Sequence, residues 1–71
     1  MDIAKIVGNN IKTARKIKGL TQTQVAQHFR MTQQQYSRFE NGVFELNYTQ
    51  IYEICKLLDT TPNEIFEYDN F

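Results

Sequence analysis

Short apolar segments at helical spacing, each opened by a residue suited to capping, leave this chain little choice but a bundle of short helices. In the first, Ile3, Val7, Ile11, Ala14 and Ile17 recur at intervals of three and four, one face of a helix. Asp2 stands as its N-cap and Gly19 ends it, with Lys16 and Lys18 in the last turn where the helix dipole favours cations. Thr21 opens the second, with Gln24 three residues on as a capping-box partner and Val25, Ala26 and Phe29 as its apolar side. Thr32 and Gln35 repeat the box for the third, where Tyr36 and Phe39 face inward and Gly42 closes as a C′ residue. The fourth follows Asn47 as N-cap and carries Tyr48, Ile51, Ile54, Cys55, Leu57 and Leu58. The fifth is brief: Thr61 caps, Pro62 takes the first helical position, Glu64 completes a capping box, and Ile65 and Phe66 point in. No stretch alternates as a strand requires. The expected fold is all-α, a compact five-helix domain over residues 1–71, with an acidic, aromatic tail at 67–71.

Size and composition exclude several functions. At 71 residues this is one small domain, and a chain so short buries only about 60% of the surface its unfolded form exposes. That leaves no room for a catalytic cleft between domains. One Cys makes no internal disulfide, and one His with one Cys falls short of a zinc site. No apolar run approaches the roughly 20 residues of a membrane span, and the N-terminus lacks a signal-peptide layout. A reduced, cytoplasmic setting follows as the expectation. No nucleophile–base pair, carboxylate pair or phosphate loop is visible, so no enzyme activity, cofactor or metal is expected.

The net charge of zero conceals a split. Residues 1–42 hold seven bases against two acids, or +5; residues 43–71 hold one base against six acids, or −5. Such asymmetry suggests an anionic partner at the basic end, although sixteen charges fall unevenly by chance often enough that the split alone is weak evidence.

The second and third segments, separated by about three residues, Arg30, Met31 and Thr32, form a helix-turn-helix. In that motif the first helix crosses the DNA backbone and the second enters the major groove, N-terminus first. Thr32, Gln33, Gln34 and Gln35 place four polar side chains at a helix N-terminus, an end that suits phosphate. Gln can pair with adenine and Arg with guanine in the major groove. Gln34 and Arg38, four apart, share a face.

The stretch Leu20 to Ala26, followed by Thr32-Gln33-Gln34-Gln35-Tyr36-Ser37-Arg38-Phe39-Glu40-Asn41-Gly42, closely resembles the lambda-repressor-like helix-turn-helix family, which includes Cro and repressor domains and XRE-type regulators. The likeness runs over about residues 7–66. It implies a sequence-specific double-stranded DNA-binding transcriptional regulator, a repressor among the options, with a recognition helix at about Gln33–Asn41. By this resemblance Gln22 contacts a backbone phosphate, Gln33 and Gln34 reach base edges and adjoining phosphate, and Arg38 reads a further base. Asn41 and Thr32 lie at the two ends of that helix near the backbone, and Ser37 is a weaker candidate between Gln33 and Asn41. Arg15 and Glu40 match a structural ion pair joining the first helix to the end of the recognition helix. The family's usual pairing through its fourth and fifth helices points to a homodimer on a palindromic operator, with Ile65, Phe66 and Tyr68 as the seam and Phe71 nearby.

Other residues read more plainly. Gln35 is a capping partner rather than a base reader, His28 a surface residue, and Cys55 a small core residue rather than a nucleophile. Two departures from the family stand out. Its turn usually carries Gly where this chain has Arg30, so either the turn differs locally or Arg30 bears left-handed strain. The loop after the recognition helix, usually basic in DNA-binding members, reads Val43-Phe44-Glu45-Leu46-Asn47. The alternative function is therefore a protein-interaction module on the same fold, of antitoxin or anti-repressor type, with a partner at Phe44 or the acidic second half.

Overall fold

The structure, a computed structural model, describes residues 1–70. Five α-helices follow one another: α1 (Ile3–Lys18), α2 (Gln22–His28), α3 (Gln33–Glu40), α4 (Tyr48–Leu58) and α5 (Pro62–Phe66), then a single 3-10 turn at Tyr68–Asn70. No strand occurs among the described residues. Phe71 lies outside them.

Each start is made by a side chain that satisfies an otherwise orphaned backbone N–H. Asp2 accepts from the Lys5 amide at 3.2 Å. Thr21 and Gln24 exchange bonds of 3.1 and 2.8 Å, and Thr32 and Gln35 do the same at 3.1 and 2.9 Å. A third reciprocal box, between Asn47 and Gln50, opens α4 at 2.8 and 2.9 Å. At α5 the expected box is only half formed. Thr61 accepts from the Glu64 amide, but the Glu64 carboxylate takes the Thr61 hydroxyl at 3.1 Å instead of its backbone N–H.

The long α1 lies against α5, α3 and α4, and α2 packs on α3. Val7, Ile11, Val25, Ala26, Tyr36, Ile54, Cys55, Leu58 and Ile65 make one core. Gly8 permits the closest approach. A Cβ there would sit 2.5 Å from the Glu40 carbonyl oxygen, so any side chain would push α1 off the end of α3.

Two positions on the expected inner face of α1 are outside. Ile17 is 83% exposed and Ile3 is 40% exposed. The buried arc of α1 is centred near Ile11 and Arg15. Ile17, six residues past Ile11, falls roughly 120° round a helix of 3.6 residues per turn. Ile65, expected at a dimer seam, is fully buried. It fills this chain's own core, and of the other two residues expected at a seam Phe66 is half-buried and Tyr68 exposed.

Candidate nucleic-acid interface

The turn between α2 and α3 is closed by backbone bonds that fix the angle of the second helix. The Met31 amide donates to the Ala26 carbonyl at 3.0 Å and the Arg30 amide to Gln27 at 3.1 Å. This pattern requires a left-handed residue at the helix end, a role glycine fills most easily. Here Arg30 takes it, with φ of 56°, at a cost of about 1 kcal/mol. The Arg30 side chain is exposed.

Behind α3 lies a buried ion pair. Arg15 on α1 donates through Nε to Glu40 Oε2 at 2.6 Å and through Nη2 to Glu40 Oε1 at 3.1 Å, while Nη1 holds the Leu20 carbonyl at 2.9 Å. The two side chains are 10% and 0% exposed. The fork geometry clamps the C-terminal end of α3 to α1 and to the segment entering α2. Burial by itself pushes the Glu40 carboxyl up, but the groups facing it, Arg15 first and then Tyr36 and Gln22, outweigh that and hold it below the usual carboxylate range. The bond to Glu40 raises the Arg15 guanidinium further despite burial. Burial, and then the adjacent Glu40 charge, push the Tyr36 phenol far up. Its hydroxyl is enclosed with no hydrogen-bond partner of good geometry.

The network continues to the front of the motif. Gln22, the first residue of α2, donates its Nε2 to Glu40 Oε1 at 3.0 Å. A carboxylate only accepts, so the Gln22 amide has one orientation, with its oxygen turned away from Glu40. That oxygen receives the Nε2 of Gln33, the first residue of α3. One buried carboxylate thus orders two glutamines at the mouths of successive helices.

The remaining candidates lie along α3. Gln34, Ser37, Arg38 and Asn41 sit at intervals that place them on one stripe. Gln34, Arg38 and Asn41 are exposed, and Ser37 is half-buried, its hydroxyl accepting from the side-chain Nδ2 of Asn41 at 3.3 Å. Thr32 is exposed but occupied as the cap of α3. Gln35 closes its box from the flank. His28 is exposed and meets Phe29 edge-on. Cys55 is buried, and burial raises its thiol.

Two features were not legible in the sequence. The Gln22–Gln33 tie joins residues 11 apart, both at the first position of a helix in the motif. The contact between Arg38 and Phe44 crosses a loop whose course no local pattern specifies. Among the described residues no three of His, Cys, Asp and Glu gather as a metal site would need. Among the described residues no helix is long and apolar enough to cross a membrane.

A two-helix motif clamped to α1, with a polar stripe on its second helix, defines the helix-turn-helix class. The helix-turn-helix family profile matches residues 11–65. The chain is also 34% identical over 65 residues to the uncharacterized HTH-type transcriptional regulator y4dJ of Sinorhizobium fredii (strain NBRC 101917 / NGR234), covering 92% of this chain and 84% of that protein. No solved structure matches. The chain belongs to the helix-turn-helix family of the XRE type, a family of DNA-binding regulators.

Proposed function

We propose that this protein is a sequence-specific double-stranded DNA-binding transcriptional regulator that places α3 in the major groove. The observation that carries the reading is the stripe of Gln34, Arg38 and Asn41, open to solvent with half-buried Ser37 among them, on a helix whose inner side is locked by the Arg15–Glu40 pair. Groove reading needs polar side chains on a rigid frame, since a loosely held helix forfeits the geometry that base pairing demands. Gln33 and Gln34 suit adenine and Arg38 suits guanine. Gln22, Thr32 and Asn41 lie where the phosphate backbone passes, and contacts there set register without reading sequence.

One domain reads only a few base pairs, so specificity in a genome calls for two copies on a palindromic operator, their reading helices about 34 Å apart. Phe66 and Tyr68 are the residues of the expected seam that retain exposed surface. The competing reading is a protein-interaction module. It is favoured by exposed Val43 and Phe44, at 65% and 48%, in the loop where a basic side chain would serve DNA better.

Selection from a random duplex library, followed by titration at rising salt, separates the two. The DNA reading expects an enriched, roughly two-fold symmetric sequence and an affinity that falls steeply with salt, nearly one unit of log–log slope per phosphate neutralised. No enrichment and a flat salt response would overturn it in favour of a protein partner.

A further inference from the structure

The loop after α3 returns to the helix it has just left. The amides of Val43 and Phe44 both donate to the Arg38 carbonyl, at 2.8 and 3.3 Å. The Phe44 ring then meets Phe39 edge-on, with centroids 6.1 Å apart and planes at 62°. On that ring stands the Arg38 guanidinium, 5.6 Å from the centroid, within the roughly 6 Å over which a ring's quadrupole attracts a cation. Backbone and side chain of Arg38 are therefore tied to the same loop residue.

Packing alone does not account for Phe44. The residue is 48% exposed, so about half of it covers nothing in the core. Its neighbour Val43 is 65% exposed. What the Phe44 ring does offer is a flat platform, fixed at one edge by Phe39 and at its root by the bond to Arg38. Arginine is long and loses considerable rotamer freedom when it must hold one pose. A side chain already leaning on a platform has lost part of that freedom before it meets a ligand.

Position matters as well. Arg38 lies one turn beyond Gln34 on the exposed stripe, at the edge next to Phe39. Without the ring, its guanidinium could swing toward solvent or toward any nearby phosphate. Over the ring its range is reduced, while a cation–π contact by itself consumes none of its N–H donors.

We propose that Phe44 is a positioning residue that pre-orients the Arg38 guanidinium for base reading. The inference rests on α3 entering the major groove with Arg38 among the reading side chains. It assigns to an apolar loop residue a part in specificity rather than in phosphate contact or partner docking.

The test uses the full chain and a 30-bp duplex carrying the sequence enriched from a random library, together with every single-base-pair variant of that site. Binding is measured for wild type, Phe44→Leu, Phe44→Tyr, Arg38→Ala and the double variant Arg38→Ala/Phe44→Leu. Phe44→Leu is expected to weaken the enriched site about two- to five-fold. It should also flatten discrimination at the base pair that Arg38→Ala flattens. Phe44→Tyr keeps a ring and is expected to retain both affinity and discrimination. In the Arg38→Ala background, Phe44→Leu should change nothing further. A loss that acts through weakened folding would persist in that background, and so would a direct DNA contact by Phe44. Either persistence, or a uniform loss across all base pairs, overturns the positioning role while leaving the DNA reading intact. A wild-type protein that enriches no sequence overturns the DNA reading, and this inference with it.

Discussion

Replacing Arg15 by Met removes three hydrogen bonds and leaves the Glu40 carboxylate enclosed, its side chain 0% exposed, with Gln22 as its remaining donor. Stranding one member of a buried pair typically costs about 3–5 kcal/mol. A chain of 71 residues, at roughly 0.05–0.15 kcal/mol per residue, has only about 4–11 kcal/mol in all. The single substitution therefore removes between about a quarter and all of the protein's stability. In urea, at an m-value near 1 kcal/mol per molar for so small a chain, the midpoint should drop by about 3–5 M, or the variant should fail to fold. The double variant Arg15→Met/Glu40→Leu should lose less than Arg15→Met alone, because no charge is left stranded and apolar replacements of buried pairs are often near neutral. Urea unfolding followed by far-ultraviolet circular dichroism measures all members of the cycle. If Arg15→Met cost under about 1 kcal/mol, or if the double variant lost the sum of the singles, the clamp would not be the frame that holds α3.

Gly8→Ala should lower the melting temperature even though alanine is the better helix former by about 1 kcal/mol, since the new methyl meets the backbone of Phe39 and Glu40; a rise in calorimetry would show that α1 and α3 can part freely. Arg30→Gly relieves a φ of 56° and should raise stability by about 1 kcal/mol, while removing a charge from the turn and lowering DNA affinity without altering base preference. Glu40 is held below its ordinary value of 4.5, so its contribution is complete above that pH and is lost as pH falls through the lower folded value. Acid titration of unfolding free energy should show this loss below about pH 4.5 in wild type and a smaller one in Glu40→Gln. Gln34→Ala should cost about 1–3 kcal/mol at the enriched site and relax one position, whereas Gln22→Ala should weaken all sequences evenly; a Gln34→Ala protein with unchanged preference removes that residue from base reading.

Helix boundaries were written locally. A cap joins a side chain to an amide three residues away, so Asp2, Thr21, Thr32, Asn47 and Thr61 announce the five starts, and the structure bonds each of them to that amide. Spacing then put two short helices about three residues apart, and the motif Thr32 to Gly42 carried the family. The polar stripe of α3 was equally legible, because residues at intervals of three and four share a side whatever lies opposite.

What the sequence could not decide is where one helix meets another. Ile17 and Ile65 are identical in chemistry, and both fit an apolar pattern. One is 83% exposed and the other 0%, because burial depends on which partner surface arrives. Gly8 gives no local sign that α3 ends against it, and Glu64 could reach its cap's hydroxyl as readily as its backbone. The orientation of Gln22 and Gln33 follows from a carboxylate that lies 18 residues beyond Gln22 in the chain and next to it in space. Phe44 likewise reads in one dimension as an exposed apolar residue in an acidic loop, and only the folded chain sets it beneath Arg38. Capping energies are settled within one turn of chain, while packing and buried electrostatics are settled between segments that meet only after the chain has closed.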